Sequence, residues 1–317
     1  MKVFITGKIP VAAKELLLKE GFDVSVYTRD NSIPSDILMK KVRNVDAVIS
    51  LLTEKFSEDI IAWMQRCKII ANYAVGFNNI DLKAAKEKGI IVTNTPDILT
   101  NATADITMSL VLACARNIIH GSELIKSMMW KGWRAEQLLG IELNGKTFGI
   151  AGAGRIGTAV AVRAKSFGTK IIYYNRSKNS ELEKLTGAKK VSLNKLVESS
   201  DVISLHLPLT PATFHIIDKD KINRMKKNAV LVNTARGEIV DESELIKALK
   251  AGKLFSAGFD VYTNEPNINK ELYKLKNVVL LPHIGSATFE ARNGMAILAA
   301  QNVINVLQGK KPLTPVC

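Results

Sequence analysis

One stretch of the chain reads Phe148-Gly149-Ile150-Ala151-Gly152-Ala153-Gly154-Arg155-Ile156-Gly157. It has the glycine spacing G-x-G-x-x-G directly after a short apolar run, which is typical of a strand that turns tightly into a helix. The helical pattern that follows has one apolar face, and Lys170–Tyr174 reads as the next strand. The stretch therefore predicts a strand–helix–strand unit with parallel strands.

Each glycine of this motif has a physical role in binding a dinucleotide. Gly152 would make the tight turn, Gly154 would let the backbone approach a pyrophosphate, and Gly157 would let the helix pack on the strand. The helix N-terminus would offer free N–H groups and partial positive charge to the phosphates. The predicted dinucleotide-binding residues of the motif are Gly152, Ala153, Gly154, Arg155, Ile156 and Gly157.

The end of the second strand indicates which dinucleotide is bound. An NAD site places Asp or Glu there to hold the ribose 2′-hydroxyl, whereas this chain has Asn175, Arg176 and Ser177. A carboxylate would repel a 2′-phosphate, and an amide, a guanidinium and a hydroxyl would bind one. A solvated basic turn is the other interpretation of these residues. The sequence favours NADP(H) as the cofactor, with NAD(H) as the alternative.

Short apolar runs alternate with helical patterns along most of the chain, which predicts parallel sheets with helices on both faces. One series runs from residue 2 to about residue 97, and a second runs from residue 146 to residue 281. Between them, a helix from about Thr103 to Ile119 is apolar nearly all round, as expected in an interior between domains or subunits. We predict an α/β fold of two Rossmann-like, doubly wound parallel-sheet domains with a cleft between them.

The composition is that of a globular chain of about two domains, with 317 residues, of which 47% are hydrophobic and 23% charged. The longest apolar stretch, Met108–Ala115, is too short to span a membrane. Three scattered cysteines indicate reduced thiols, so we expect a cytoplasmic protein without a membrane partner. The net charge of +14 is spread along the chain without interleaved aromatic residues, and we expect a lysine-rich surface and no nucleic-acid partner.

Three polar side chains follow three successive strands of the second series. Arg236 follows the strand at 230–234, Glu265 follows the strand at 257–261, and His283 follows the strand at 277–281. The carboxyl ends of parallel strands share one edge, where ligands of doubly wound sheets bind. We therefore expect the three side chains to lie close together.

A nicotinamide enzyme needs a group that handles the proton on the substrate oxygen and a group that holds the substrate. Arg236 can hold a carboxylate or an α-keto oxygen in its planar fork. Glu265 can bind the imidazole and favour its charged form, and His283 can then protonate the carbonyl oxygen as hydride arrives. Singly, these residues could be a surface salt bridge, a loop acid and a structural histidine. Together they favour a catalytic group that requires no metal.

Five stretches carry a resemblance to a known family. They are Asn72-Tyr73-Ala74-Val75-Gly76-Phe77-Asn78-Asn79-Ile80-Asp81, Thr93-Asn94-Thr95-Pro96-Asp97-Ile98-Leu99-Thr100, the glycine motif, Asn233-Thr234-Ala235-Arg236-Gly237 and Pro282-His283-Ile284-Gly285-Ser286-Ala287. Over essentially its whole length the chain resembles the D-isomer-specific 2-hydroxyacid dehydrogenases. Within that family it is most similar to glyoxylate and hydroxypyruvate reductases.

The resemblance implies reduction of glyoxylate to glycolate and of hydroxypyruvate to D-glycerate, with Arg236, Glu265 and His283 as the catalytic group. The backbone at Val75 and Gly76 would cradle the substrate carboxylate, and Arg236 and His283 would also contact the substrate. Further cofactor contacts would come from Thr234, Ala235, Asp260 and Gly285, with Asp260 near the nicotinamide amide.

Domain roles also follow from the resemblance. Residues 1–97 and 287–317 would bind substrate, residues 98–286 would bind the dinucleotide, and a homodimer would form through the dinucleotide-binding domain and the arm near residues 117–145. Trp130 and Trp133 in this arm fit either an interface or ordinary core packing. Phosphoglycerate dehydrogenases have a basic residue after the third strand, where this chain has the neutral run Ser50-Leu51-Leu52-Thr53. Leu52 would therefore face a small, uncharged substrate tail.

Other activities remain compatible with the same motifs. A D-lactate-type dehydrogenase or a broader 2-ketoacid reductase would use the same catalytic group. A dinucleotide-sensing co-repressor would use the same cofactor site without turnover. The complete set of Arg236, Glu265 and His283 favours an enzyme.

Overall fold

The structure, a computed structural model, describes residues 1–29 and 31–317 and divides the chain into two units. Unit 1 contains residues 1–99 and 286–317, and unit 2 contains residues 100–285. The predicted boundaries, after residues 97 and 286, and the observed ones, after residues 99 and 285, differ by two residues and one residue. Each unit is built around a parallel sheet, which confirms the predicted α/β class.

Unit 1 contains a five-stranded parallel sheet. Its strands are β1 (Lys2–Ile5), β2 (Asp23–Val26), β3 (Ala47–Ser50), β4 (Ile69–Asn72) and β5 (Ile91–Thr93). Its helices are α1 (Ala12–Lys19), α2 (Ser35–Val42), α3 (Glu58–Trp63), α4 (Leu82–Glu87) and, from the end of the chain, α12 (Phe289–Leu307). The strand order is β2-β1-β3-β4-β5, and α12 packs on α1, β3 and β4.

Unit 2 contains a seven-stranded parallel sheet. Its strands are β6 (Thr147–Ala151), β7 (Lys170–Tyr174), β8 (Lys189–Lys190), β9 (Val202–Leu205), β10 (Val230–Asn233), β11 (Ser256–Phe259) and β12 (Val278–Leu280). Its helices are α5 (Thr100–Ala115), α6 (Ile118–Lys126), α7 (Arg155–Ser166), α8 (Ser180–Thr186), α9 (Leu193–Ser199), α10 (Lys219–Arg224) and α11 (Glu242–Lys250), with 3-10 turns at Gly237–Ile239 and Leu272–Lys274. The strand order is β12-β11-β10-β9-β6-β7-β8.

Both faces of the unit 2 sheet are covered, and the strand sequences show why. Successive side chains of a strand point to opposite faces. Val230 and Val232 of β10 belong to one hydrophobic cluster, with side chains from α5 and α7, whereas Leu231 belongs to another, with side chains from α9, α10 and α11. Because apolar residues are needed on both faces, the strand reads as a continuous apolar run.

The apolar helix predicted from about Thr103 to Ile119 is two helices in the structure. α5 ends at Ala115, α6 begins at Ile118, and their axes differ by 68°. Asn117 between them has a left-handed φ of 52°, which ends the first helix. α5 packs within unit 2 on α7, β10 and β11. In the part of the chain that the structure describes, no single helix meets the length and hydropathy of a membrane span, although α5 and α6 meet them as a bent pair.

We expect Phe148→Ala to lower the free energy of unfolding of unit 2 by about 3–5 kcal/mol, because it removes a buried aromatic ring and leaves a cavity. Phe148 is fully buried in β6, a strand with neighbours on both sides. Urea unfolding followed by circular dichroism measures the change. Phe167→Ala, at the exposed end of α7, is the matched control and should cost less than about 1 kcal/mol. Equal losses for the two variants would contradict this account of the core.

Candidate active site

The turn between β6 and α7 has the geometry that a pyrophosphate requires. Gly152 has a φ of +100°, and a Cβ there would lie 2.6 Å from the carbonyl carbon of His206. At Gly154, apart from the residue itself and its two chain neighbours, no heavy atom of the described residues lies within 4 Å of the Cβ position, so the backbone is open to a ligand. A Cβ at Gly157 would overlap the carbonyl oxygen of Gly152. The turn thus fits a dinucleotide phosphate beside the N-terminus of α7.

The loop after β7 lies next to this turn, because Gly152 N donates to Tyr174 O at 2.8 Å. Arg176 and Ser177 are exposed in this loop, and Asn175 Nδ2 donates to Ser177 O at 3.2 Å. Because the side chains of Arg176 and Ser177 reach solvent beside the glycine turn, they are accessible to the ribose end of a dinucleotide.

A hydrogen bond of 2.7 Å joins His283 Nδ1 and Glu265 Oε2. The other carboxylate oxygen of Glu265 accepts from Tyr262 N at 2.8 Å, and Tyr262 Oη donates to Leu281 O at 2.8 Å. The side chains of His283 and Glu265 are each 28% exposed. The loops after β11 and β12 are thus tied to each other, and the pair stays open to a substrate.

The pKa of Glu265 is lowered. Burial acts to raise it, but the hydrogen bond and charge of His283, the Tyr262 amide and the charge of Arg236 outweigh the burial. Glu265 is therefore ionised at neutral pH, and it can balance a positive charge on His283.

Arg236 follows β10, which is the strand next to β11 in the sheet. Asn233, at the end of β10, holds the turn through its side chain, which donates to Arg236 O at 2.8 Å and accepts from Ala235 N at 3.0 Å. Burial lowers the pKa of Arg236, while the carboxylates of Glu265 and Glu238 act in the opposite direction. The structure therefore brings Arg236, Glu265 and His283 into one electrostatic group, as the strand ends predicted.

Asp260 fixes the loop that carries His283. Its two carboxylate oxygens accept from Ile284 N and Gly285 N, each at 2.7 Å. His283 itself has a left-handed φ of 55°, a conformation that few residues adopt without support from their surroundings. Burial raises the pKa of Asp260, although the two amides and His283 act against it. Sequence reasoning placed Asp260 beside the nicotinamide and did not anticipate this backbone contact.

Thr234, another predicted cofactor residue, is held by α5. Its hydroxyl lies 2.9 Å from Thr107 Oγ1, and Thr103 Oγ1 donates to Gly285 O at 3.2 Å. Two threonines one helical turn apart thus contact the loops after β10 and β12. The sequence of α5 reads as apolar, so only the hydroxyl groups on one face of the helix could have indicated these contacts.

The predicted substrate residues Leu52, Val75 and Gly76 lie in unit 1, on the loops after β3 and β4. Asn94 Nδ2 donates to Val75 O at 2.9 Å, and Asn72 Nδ2 donates to Gly76 O at 2.7 Å. These two asparagines fix the backbone that resembles a carboxylate cradle. Sequence reasoning missed this role, although an asparagine that ends a buried apolar strand, as Asn72 does, was a usable signal.

The four histidines differ in their surroundings. His206 is partly buried after β9, where burial lowers its pKa to about 3, and its Nε2 lies 2.8 Å from Ser204 Oγ. It is therefore neutral. Within residues 1–29 and 31–317, His, Cys, Asp and Glu side chains form no cluster of three or more that could hold a metal.

Comparisons with known proteins identify the family to which this chain belongs. Residues 108–285 match the family model described as D-isomer specific 2-hydroxyacid dehydrogenase, NAD binding domain. A glyoxylate reductase from Thermococcus kodakarensis is 49% identical over 317 residues, which cover 99% of this chain and 95% of that protein.

Two solved structures are also similar over the whole chain. The TT0316 protein from Thermus thermophilus has a TM-score of 0.94 and 40% identity, with all of both chains covered. An NADPH-dependent glyoxylate/hydroxypyruvate reductase from Sinorhizobium meliloti, in complex with NADP and malonate, has a TM-score of 0.87 and 32% identity, with 100% of this chain and 96% of that chain covered. The resemblance predicted from the sequence is confirmed, and the chain belongs to the D-isomer specific 2-hydroxyacid dehydrogenase family.

Proposed function

We propose that this chain reduces glyoxylate to glycolate and hydroxypyruvate to D-glycerate, with NADPH as the preferred reductant. The main support is the 2.7 Å hydrogen bond between His283 and Glu265, which lies with Arg236 at the carboxyl edge of the sheet in the dinucleotide-binding unit. The similar proteins named as glyoxylate reductases support the substrate class. A proton donor, its charge partner and a guanidinium are the groups that reduction of a 2-ketoacid requires.

When bound, the reduced dinucleotide supplies the hydride that adds to the carbonyl carbon. His283 donates the proton that the carbonyl oxygen needs, and it does so from Nε2, because Nδ1 is bound to Glu265. The ionised Glu265 stabilises the positive imidazolium before the transfer and fixes the plane of the ring. In the reverse direction, neutral His283 takes the proton back from the hydroxyl group.

Arg236 binds the substrate in this proposal. Its planar guanidinium can donate two parallel hydrogen bonds to a carboxylate, or one to the carbonyl oxygen where negative charge develops. The nearby carboxylates of Glu265 and Glu238 reduce the cost of burying its charge. In unit 1, the backbone of Val75 and Gly76 would bind the substrate carboxylate, and Leu52 would contact a small, uncharged tail.

The loop after β7 would select the cofactor. Arg176 and Ser177 can donate to a 2′-phosphate, and Asn175 adds an amide. Lys190 Nζ lies 3.1 Å from Arg176 O and brings another positive charge to the loop. No carboxylate stands at the end of β7 to favour the 2′-hydroxyl of NADH. We therefore assign NADP(H) as the preferred cofactor.

We expect the wild-type protein to oxidise NADPH fast with glyoxylate and hydroxypyruvate and slowly with pyruvate. His283→Ala should lower kcat by about 10² or more, because the general acid is lost, whereas Glu265→Gln, which keeps the size of the side chain and removes its charge, should lower kcat less. Steady-state rates measure both effects, and dinucleotide affinity measured without substrate controls for folding.

Three outcomes would contradict parts of this proposal. Full activity of His283→Ala would remove the proton-transfer mechanism. Faster reduction of pyruvate would favour a D-lactate-type dehydrogenase, an activity that two of the similar solved structures are named for. Tight dinucleotide binding without turnover of any 2-ketoacid would favour a dinucleotide-sensing co-repressor.

We expect Arg176→Ala to raise the KM for NADPH about tenfold and to leave the KM for NADH within about twofold, because one charge-assisted hydrogen bond to the 2′-phosphate is lost. Arg43→Ala is the matched control, since it removes the same charge from unit 1, where Arg43 lies over the ring of Trp63. Equal changes in KM for the two dinucleotides would rule out the 2′-phosphate contact.

We also propose a homodimer that forms through α6 and the segment after it. Every residue of α6 is at least partly exposed, and Met128 and Trp133 are 90% and 82% exposed. Such exposure rules out ordinary core packing for Trp133. Contiguous exposed apolar surface is typical of a protein interface, and the family resemblance implies that the partner is a second copy of this chain.

We expect the wild-type protein to elute as a dimer and the double variant Met128→Lys, Trp133→Lys to shift toward the monomer, because two charges would be buried in an apolar interface. Light scattering on a size-exclusion column measures the mass. Leu18→Lys, on the exposed surface of α1, is the control for added charge. A monomeric wild-type protein would contradict the proposed interface.

A further inference from the structure

Asn179 lies between the two loops assigned to the cofactor and contacts both. It follows the loop at 175–178 and is the N-cap of α8, where its Oδ1 accepts from Leu182 N at 2.9 Å. An asparagine at this position is a common way to begin a helix. The amide nitrogen of Asn179 makes further contacts that capping does not require.

The amide nitrogen of Asn179 reaches the glycine turn. Nδ2 donates to Ala153 O at 2.9 Å and to Thr158 Oγ1 at 3.1 Å. Ala153 lies between Gly152 and Gly154, where the pyrophosphate would bind, and Thr158 lies in the first turn of α7. One side chain therefore connects the glycine turn with the end of the loop that carries Arg176.

The backbone of Asn179 is also fixed. Its N–H donates to Tyr173 Oη at 2.9 Å, and the same hydroxyl donates to Glu183 Oε1 at 2.8 Å. Burial raises the pKa of Tyr173, so the phenol stays neutral and keeps its proton for Glu183. Lys178 Nζ lies 3.0 Å from the other carboxylate oxygen of Glu183. The far end of the loop is thus held by a buried side chain of β7.

A separate hydrogen bond holds the near end of the loop. Lys190, on the neighbouring strand β8, donates through Nζ to Arg176 O at 3.1 Å. The loop at 175–178 is therefore held on one side by β8 and on the other by Asn179. The backbone hydrogen bond from Gly152 N to Tyr174 O joins the end of β7 to the glycine turn, and Asn179 adds a side-chain connection at the far end of the loop.

We propose that Asn179 is a positioning residue that sets the distance between the glycine turn and the Arg176 loop, and thereby the preference for NADPH over NADH. A pyrophosphate and a 2′-phosphate are two fixed points on one ligand, so both contacts form together only if the two loops are already spaced correctly. Loops ordered before binding lose less conformational entropy when the ligand binds. NADH has the pyrophosphate but no 2′-phosphate, so its affinity depends less on the distance between the two loops.

The side chain of asparagine is suited to this double role. Its oxygen accepts from the first turn of α8, and its NH₂ group supplies two donors for Ala153 O and Thr158 Oγ1. Serine also caps a helix well, but its single short hydroxyl cannot do both. Asn179→Ser therefore keeps the cap and removes the side-chain connection to the glycine turn.

Since it rests on the proposed NADPH site, this role is tested by dinucleotide binding alone, without any 2-ketoacid. Protein fluorescence titrations give the Kd for NADPH and for NADH, and thermal unfolding gives Tm. We expect Asn179→Ser to keep Tm close to that of the wild type, to raise the Kd for NADPH about fivefold and to raise that for NADH less than about twofold. Asn179→Ala should show the same change in Kd values together with a lower Tm.

Ser192→Ala is the control for the loss of a cap. Ser192 Oγ accepts from Lys195 N at 3.2 Å at the start of α9, so the variant loses the same kind of hydrogen bond away from the glycine turn. It should lower Tm and leave the ratio of the two Kd values unchanged. If the ratio of the two Kd values changes in this control, general destabilisation explains the change seen in Asn179→Ser. The role of Asn179 is then overturned.

The remaining outcomes separate this role from the proposed function. If the wild-type protein prefers NADPH and Asn179→Ser leaves the ratio of the two Kd values unchanged, the role of Asn179 is overturned. The cofactor assignment then stays intact. A wild-type protein without a preference would overturn the cofactor assignment and the role of Asn179 together, while the 2-ketoacid reduction would be judged by its own rates.

Discussion

Parallel hydrogen bonding in a sheet that is buried on both faces is the constraint behind the rest of this structure. Strands such as β9, β10 and β11 are buried along their whole length, so their interiors have little room for charged side chains. All the strands run the same way, and their carboxyl ends meet at one edge. Arg236, Glu265 and His283 follow β10, β11 and β12, which are neighbours in the sheet, and so lie together although 47 residues of sequence separate the first from the last.

The loops at this edge have irregular backbones, and side chains supply the hydrogen bonds that regular structure would otherwise provide. Asp260 accepts from two amides of the His283 loop, Asn233 closes the turn before Arg236, and Asn179 spans from α8 to the glycine turn. A buried polar group without a partner is costly, so each of these side chains has one strongly preferred arrangement. The loops that carry Arg236 and His283 are therefore held by specific side-chain hydrogen bonds, which is what a site with preset geometry requires.

The sequence predicted the parts of this protein that depend on local pattern. The glycine motif, the alternating series and the polar residues at three strand ends follow from periodicity and from the geometry of parallel sheets, and the family resemblance agrees with them. The break between α5 and α6 was missed because apolar residues continue on both sides of Asn117. The contacts of Asn72 and Asn179 were missed because their partners are set by how the loops fold back, and the contact of Asp260 with Gly285 spans 25 residues. A contact between residues so far apart in sequence leaves no periodic pattern.

The composition of β8 has a consequence for the aggregation of this chain. It forms one edge of the unit 2 sheet and consists of Lys189 and Lys190, both exposed. A bare sheet edge offers unpaired N–H and C=O groups to any strand of similar length, which is a common route to aggregation. Two such edges approaching each other would bring lysines of both copies together, and their repulsion would oppose joining one sheet to the next. Growth of the sheet from chain to chain is therefore disfavoured at this edge.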